Sequence, residues 1–446
     1  MNSREIALNI LMDINIKGAF SNYSINKHLK GEVDIKDQNL IREIVYGVIE
    51  NLMYLDHVIS KLSKIRITKI QPAIMEILRM GVYQMAFMDK IPDRAAINEA
   101  VNLSKRHGHK GVSGFVNGVL RNFSRNKEEL MKVDEKDKLD YLSIKYSHPK
   151  WMVKRWVEEY GYEFTENICK TNNLKPKLNI RANRLKTSRE KLIRALSNYG
   201  FITSETKYAK DGIIVHNPTR ITEIEEFKLG HFIIQDESSM LVAQIANPKE
   251  NSLVLDLCSA PGGKSTYMAE LMGNKGRIIS RDIYEHKLNL VKENSIRLGI
   301  DIIETEIFDA LKFDESLVGK VDYCILDAPC SGLGIIRRRP DIKWNRREED
   351  INGLRKIQKN ILDNAKQYVK PGGIIIYSTC TIGKEENLDI INGFLNGNSE
   401  FSLSGFDNLL DSTEKIETGN NGYIQLFPHI HGIDGFFIAR IQKKDG

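Results

Sequence analysis

Cysteine is scarce in this chain of 446 residues: there are five, an odd number, with no CxxC pair and no Cys/His grouping at metal-ligand spacing. A disulfide framework and a metal site are therefore not expected, and any cysteine with a function acts as a thiol. Long apolar runs are also missing. The opening stretch MNSREIALNILMDINIKG is broken by Asn and Asp within a few residues, too short and too polar for a signal peptide or a membrane span. The expected location is the cytoplasm, without membrane contact. There is no low-complexity tract and no bias towards proline or glycine, which excludes the fibrous and disordered classes. What remains, 41% hydrophobic and 28% charged residues, is globular composition in a chain long enough for two or three cores.

Charge of one sign is locally absent. Residues 101–127 hold six Lys/Arg and no acid, and residues 170–220 hold twelve Lys/Arg against three acids, although the whole chain carries only +6. A charge run is often just a solvated face, but two such clusters favour a polyanionic partner, most simply a nucleic acid.

From Arg4 to about Phe123 the apolar spacing is helical. Ile6, Ile10 and Ile14 form one stripe, Ile41, Ile44, Val45, Val48, Leu52 and Leu55 a second, and Ile74, Ile77, Leu78 and Val82 a third, behind a first-turn Pro72. This predicts an all-α domain over 1–135. The charged stretch 126–138 reads as a linker or a solvated helix. A new helix with Trp151 and Trp156 on its apolar side follows at 147–161. Strand-like LNIRAN, GIIVH and FIIQD around the basic helix SREKLIRALSNYG complete a small α+β module over 140–248. From 249 to 446 the pattern becomes strand, turn, helix, with strands expected at 252–258, 276–282, 302–308, 321–327 and 373–379. Apolar runs flanked by amphipathic helices mean a parallel sheet covered on both faces, a Rossmann-like α/β domain whose ligands lie beyond the carboxyl strand ends.

The first such end reads DLCSAPGGKS (256–265). A phosphate loop would need glycine where Cys258 stands, and Pro261 removes a backbone N–H from the cradle. A nucleoside without polyphosphate fits better. Gly262 and Gly263 allow close backbone approach, the helix start favours a carboxylate, Asp282 stands at the ribose-binding distance, and Asp309 could meet the base. An adenosine joined to an amino acid is S-adenosylmethionine.

DLCSAPGGKS, DAPCSGLG (327–334) and STCTI (378–382), in this order, resemble the RNA cytosine-C5 methyltransferases. AINEAVNLSKRHG and GFVNGVLRNF upstream resemble the NusB antitermination domain, and with QDESS (235–239) the whole chain is similar to the bacterial small-subunit rRNA cytosine-C5 methyltransferase B family, also called Sun or Fmu. The resemblance implies methyl transfer from S-adenosylmethionine to carbon 5 of one cytosine in 16S rRNA; the expected partner is free or early-assembly rRNA and the expected state a monomer. Cys258, Ser259, Ala260, Pro261, Gly262, Gly263, Lys264, Asp282, Asp309 and Asp327 would form the cofactor site. Cys380 would attack carbon 6 and Cys330 assist release, with Asp327 holding or protonating ring nitrogen 3. A tRNA or large-subunit rRNA target, or a non-catalytic RNA-binding antitermination or assembly factor, is the alternative. Cys169 and Cys324, inside apolar runs, read as core. RRRPDIKW (337–344) reads as a phosphate-contacting loop, and His429 and His431 carry no catalytic role.

Overall fold

The computed structural model describes residues 2–29, 33–108, 110–410, 416 and 418–445. Two units divide them: Met1–Leu174 with Ile336–Glu348, and Lys175–Ile335 with Glu349–Gly446.

The first unit is helical. Its centre is the helix Pro72–Phe87, with proline in the first turn and twelve of its sixteen residues buried. The helices Ser3–Asn15, Ile35–Glu50, Leu52–Leu62 and Asp93–His107 pack their apolar stripes into the same core. The stripe read across 41–55 divides at Asn51, which separates two of these helices. Within 126–137 only Lys127–Leu130 is helical, and Asp137 caps the next helix, Lys138–Lys145, by accepting from Leu139 and Asp140 N–H.

The segment Ile336–Glu348 removes Lys343 from the phosphate-contacting loop expected at RRRPDIKW, while Arg339 stays exposed. Lys343 is fully buried, donating to the Glu50 carbonyl at 2.8 Å and to Asn173 Oδ1 at 3.2 Å, and burial pulls its ammonium down to about 7. Trp344 packs on the helical core and its indole N–H reaches the Ile49 carbonyl at 2.9 Å. Asp341 accepts from Ser21. These side chains staple a loop into the helical unit and are withdrawn from any polyanion.

The second unit holds two sheets. β1 (Leu178–Ala182), β2 (Thr203–Glu205), β3 (Gly212–Val215) and β4 (Phe232–Ile234) form an antiparallel sheet in the order β2-β3-β1-β4, with the helix Arg189–Asn198 packed on it. The larger sheet contains β5 (Leu253–Asp256), β6 (Arg277–Asp282), β7 (Ile303–Ile307), β8 (Val321–Asp327), β9 (Val369–Thr379), β10 (Phe401–Leu403), β11 (Tyr423–Leu426) and β12 (Phe436–Lys443). β7-β6-β5-β8-β9 run parallel, as the apolar runs predict, whereas β12 lies antiparallel on β9 and carries β10 and β11. Alternate residues serve opposite faces: Val254, Ile325 and Ile376 join one core, Leu255, Leu326 and Ile375 the other.

Strand order fixes where a site can form. The chain leaves β5 towards β6 and β7, then returns to the other side of β5 as β8. That reversal opens a crevice at the carboxyl ends of β5 and β8.

Candidate active site

β5 ends at Asp256 and turns through Leu257–Gly262 into the helix Gly263–Leu271. The Ala260–Pro261 peptide is cis, and Gly262 takes φ +97°, a left-handed conformation that side-chain-bearing residues rarely adopt. Its N–H donates to the Ser259 carbonyl at 2.7 Å, and its own carbonyl accepts from Thr266 N–H at 2.9 Å, which begins the helix. Asp256 is buried and accepts from Ser265 Oγ at 2.5 Å; burial pushes its carboxyl up to about 6.

From the first helical turn Lys264 reaches across the crevice to the end of β8, where its Nζ lies 2.6 Å from Asp327 Oδ2. Burial works against the ammonium, but the charge and hydrogen bond of Asp327 more than offset it and hold Lys264 above its usual range. Ser378 Oγ, near the end of β9, donates to Asp327 Oδ1 at 2.9 Å. Asp327 is thus an acceptor with both oxygens engaged.

The two loops beyond β8 and β9 bring the cysteines together. Cys330 Sγ and Cys380 Sγ stand 3.3 Å apart, both free thiols. Backbone bonds join the loops: Ala328 N–H to the Ser378 carbonyl at 2.8 Å and Gly334 N–H to the Cys380 carbonyl at 3.0 Å. Gly334 itself passes so close to Gly435 that a Cβ would overlap the Gly435 carbonyl. The hydrogen bond to Cys380, burial and the nearby Cys380, Glu386 and Asp327 push the Cys330 thiol well up. Cys169 and Cys324 lie in the core, and Cys258 packs beneath the β5 loop; burial raises all three thiols.

Along the carboxyl edge, strand order sets Asp327, the Cys258–Lys264 loop, Asp282 and Asp309 in one row. Asp282 and Asp309 are half-buried, each with Oδ1 accepting from the N–H two residues on. Beside the loop lies a cavity of about 340 Å³, whose walls include Gln235, Asp236, Ser259, Pro261 and Lys264. Two buried polar atoms here lack a partner: Gln235 Nε2 and Ser259 Oγ.

Other residues of the site had no sequence signal. Ser378 is a serine at a strand end like any other until β8 and β9 pair. Gln358 and Glu386 bond to the Cys330 loop from 29 and 55 residues away, and Asn387 bonds back to the Cys380 loop from the turn that follows it. His431 is satisfied structurally, its Nδ1 accepting from Phe427 N–H at 2.9 Å.

Residues 243–442 match the family model of the 16S rRNA methyltransferase RsmB/F, residues 1–125 that of the NusB family, and residues 148–222 that of the RsmF/B-like ferredoxin-like domain. The probable ribosomal RNA small subunit methyltransferase B of Bacillus subtilis is 40% identical, across 99% of this chain and 98% of that one. The corresponding Synechocystis protein is 34% identical across 99% and 100%. The crystal structure of PH0851 superposes with a TM-score of 0.81 at 28% identity, covering 99% of this chain and 98% of that one. With this likeness running the whole length and all three domain types matched in order, the chain belongs to the ribosomal RNA small subunit methyltransferase B family.

Proposed function

We propose that this protein methylates carbon 5 of one cytosine in 16S rRNA through a covalent bond between Cys380 and the base. The observation that carries the reading is the pair of thiols 3.3 Å apart, beside an Asp327 held by Lys264 and Ser378, at the carboxyl ends of adjacent parallel strands. An enzyme adding a nucleophile to a base and later expelling it needs two groups at one place, and a methyltransferase acting on an amine, a ring nitrogen or a ribose hydroxyl does not.

The residues fit S-adenosylmethionine. Ser259 Oγ and Gln235 Nε2 are orphaned donors on the cavity wall beside the helix start, which suits a carboxylate, and the loop Cys258–Lys264 supplies close backbone approach. Asp282 would take the ribose hydroxyls, Asp309 the base, and Asp327 and Lys264 border the transfer point. When bound, S-adenosylmethionine supplies the methyl group. The Cys380 thiolate adds to carbon 6, and the ring's electrons move onto carbon 5, which becomes the nucleophile. Asp327, whose own donors make it an acceptor, holds the ring N–H or amino edge through this change. After transfer solvent water takes the proton from carbon 5, the electron pair of that bond restores the 5,6 double bond, and the carbon–sulfur bond breaks with its pair leaving on the Cys380 sulfur, a release that Cys330 assists by protonating that sulfur. The target base leaves its stack to reach the crevice.

Free or early-assembly rRNA would meet exposed cations on both units, among them Lys105, Arg121 and Arg125 of the helical unit and Lys191, Arg194 and Lys210 of the small module. The reading is of a cytoplasmic monomer.

Bisulfite sequencing of rRNA from cells with and without the gene tests activity and address together. One protected cytosine in 16S rRNA should become fully convertible when the gene is absent; protection lost only from tRNA or 23S rRNA would move the substrate elsewhere. For the cofactor, Asp282→Ala should weaken S-adenosylmethionine binding about 10- to 100-fold in calorimetry, because charge-assisted bonds to ribose hydroxyls are worth roughly 1.5–3 kcal/mol. Unchanged affinity would place the ribose elsewhere.

A further inference from the structure

Each cysteine is gripped on both sides, Cys380 by Asn387 alone and Cys330 by Glu386 together with Gln358. Glu386, 1% exposed, accepts from Ser331 N–H at 2.9 Å and Ser331 Oγ at 2.5 Å, immediately after Cys330. Gln358 Nε2 bridges Glu386 Oε1 at 3.0 Å to the carbonyl of Pro329 at 2.9 Å, immediately before Cys330. Asn387, also 1% exposed, does the same for Cys380: its Oδ1 accepts from Thr379 Oγ1 at 2.5 Å and its Nδ2 donates to the Thr381 carbonyl at 3.1 Å. Ser331 Oγ and Thr381 Oγ1, 2.8 Å apart, join the two grips, and Tyr377 O–H anchors the turn through the Glu386 carbonyl at 2.6 Å.

We propose that Glu386 and Asn387 are positioning residues that divide the two thiols' duties, Asn387 aiming Cys380 for attack and Glu386 aiming Cys330 for release. This rests on the assignment of attack to Cys380 given above. Glu386 is a buried carboxyl whose partners, Ser331 and Gln358, are neutral donors, and buried networks of this kind hold their members in one arrangement. Its position has a further effect. The groups facing Cys330 include Cys380, Glu386, Tyr377 and Asp327, the last with Lys264 against it, and Glu386 is among those that keep the Cys330 proton in place. Cys330 then meets the Cys380 sulfur as an S–H, the form that can hand over a proton as the carbon–sulfur bond breaks.

The test uses the full-length protein with an RNA substrate and S-adenosylmethionine. Glu386→Gln should leave the first turnover within about twofold, slow later turnovers about 10- to 100-fold, and accumulate a protein–RNA adduct that survives denaturation. Asn387→Ala should slow the first turnover by a similar factor and accumulate none. In the free protein, the pH at which Cys330 becomes half-reactive towards iodoacetamide, read on its own peptide, should fall in Glu386→Gln and stay put in Glu386→Asp. A merely structural turn would lower first and later turnovers together in both variants without adduct, and that result overturns the division of duties. If Glu386→Gln melts early, Glu386→Asp, which keeps the charge with a shorter reach, replaces it in the turnover assay, and wild-type kinetics there with wild-type alkylation of Cys330 in both variants is equally fatal. Should Cys330→Ala itself fail to trap RNA, the underlying roles are wrong, and the alkylation midpoint alone decides whether Glu386 governs Cys330.

Discussion

Cys380→Ala is expected to lose at least about 10⁴-fold in methylation and to form no RNA complex that survives denaturation, while Cys330→Ala accumulates such a complex in the presence of S-adenosylmethionine. The asymmetry follows from the geometry. Two thiols 3.3 Å apart share one hydrogen bond, so one sulfur donates and the other accepts. Cys330 is pushed well up by that bond, by burial and by Glu386 and Asp327, so it is the sulfur that keeps its proton. The accepting sulfur of Cys380 is the better nucleophile, because the proton of that shared bond is held by Cys330 and not by its own lone pairs. Without Cys380, carbon 5 is never activated. Without Cys330, attack and transfer proceed and the bond to carbon 6 breaks slowly, leaving the protein tethered to methylated RNA. Denaturing gels of both variants, with and without cofactor, decide it. An adduct in Cys380→Ala and none in Cys330→Ala would exchange the two roles.

The strand ends were legible because they are local. DLCSAPGGKS, Asp282, Asp309, DAPCSG and STCT each follow an apolar run that forms a strand, and parallel order then lines them along one edge. The antiparallel addition of β10, β11 and β12 was not legible. β10 and β11 are three and four residues long, too short for a period, and β12 pairs with β9 only after a long excursion. Charge was legible as a sum but not as a location. Lys343 contributes one positive charge to RRRPDIKW whether it faces solvent or a carbonyl, and only the folded chain shows it against Glu50 and Asn173. The grip of Glu386 on Ser331 spans 55 residues and leaves no local pattern at either end.

Arg181 is the sharpest case, since the basic stretch 170–220 counts it among the cations offered to RNA, whereas its side chain is wholly buried. Its guanidinium donates to Glu270 at 2.7 Å, to the Gly263 carbonyl at 2.7 Å and to Gln235 Oε1, and lies 4.5 Å from the centre of the Tyr267 ring. One side chain therefore joins β1 to the start of the cofactor-loop helix. Arg181→Ala is expected to cost about 3–5 kcal/mol of unfolding free energy, because it leaves Glu270 buried without its counter-ion, held only by the Arg184 N–H. It should also weaken S-adenosylmethionine binding, since Gln235 and Gly263 lose a common anchor. Arg181→Lys keeps the charge without the planar fork and should recover only part of both. Removing both charges, as in Arg181→Met with Glu270→Gln, should restore most of the stability that the single change loses. Urea unfolding of the four proteins measures the first effect, and the salt dependence of RNA binding supplies the opposite test. A phosphate-contacting arginine would reduce the slope by about 0.7–0.9 on removal and leave the unfolding midpoint where it was. That pattern would return Arg181 to the RNA-binding surface. A lowered midpoint with an unchanged slope keeps it in the core.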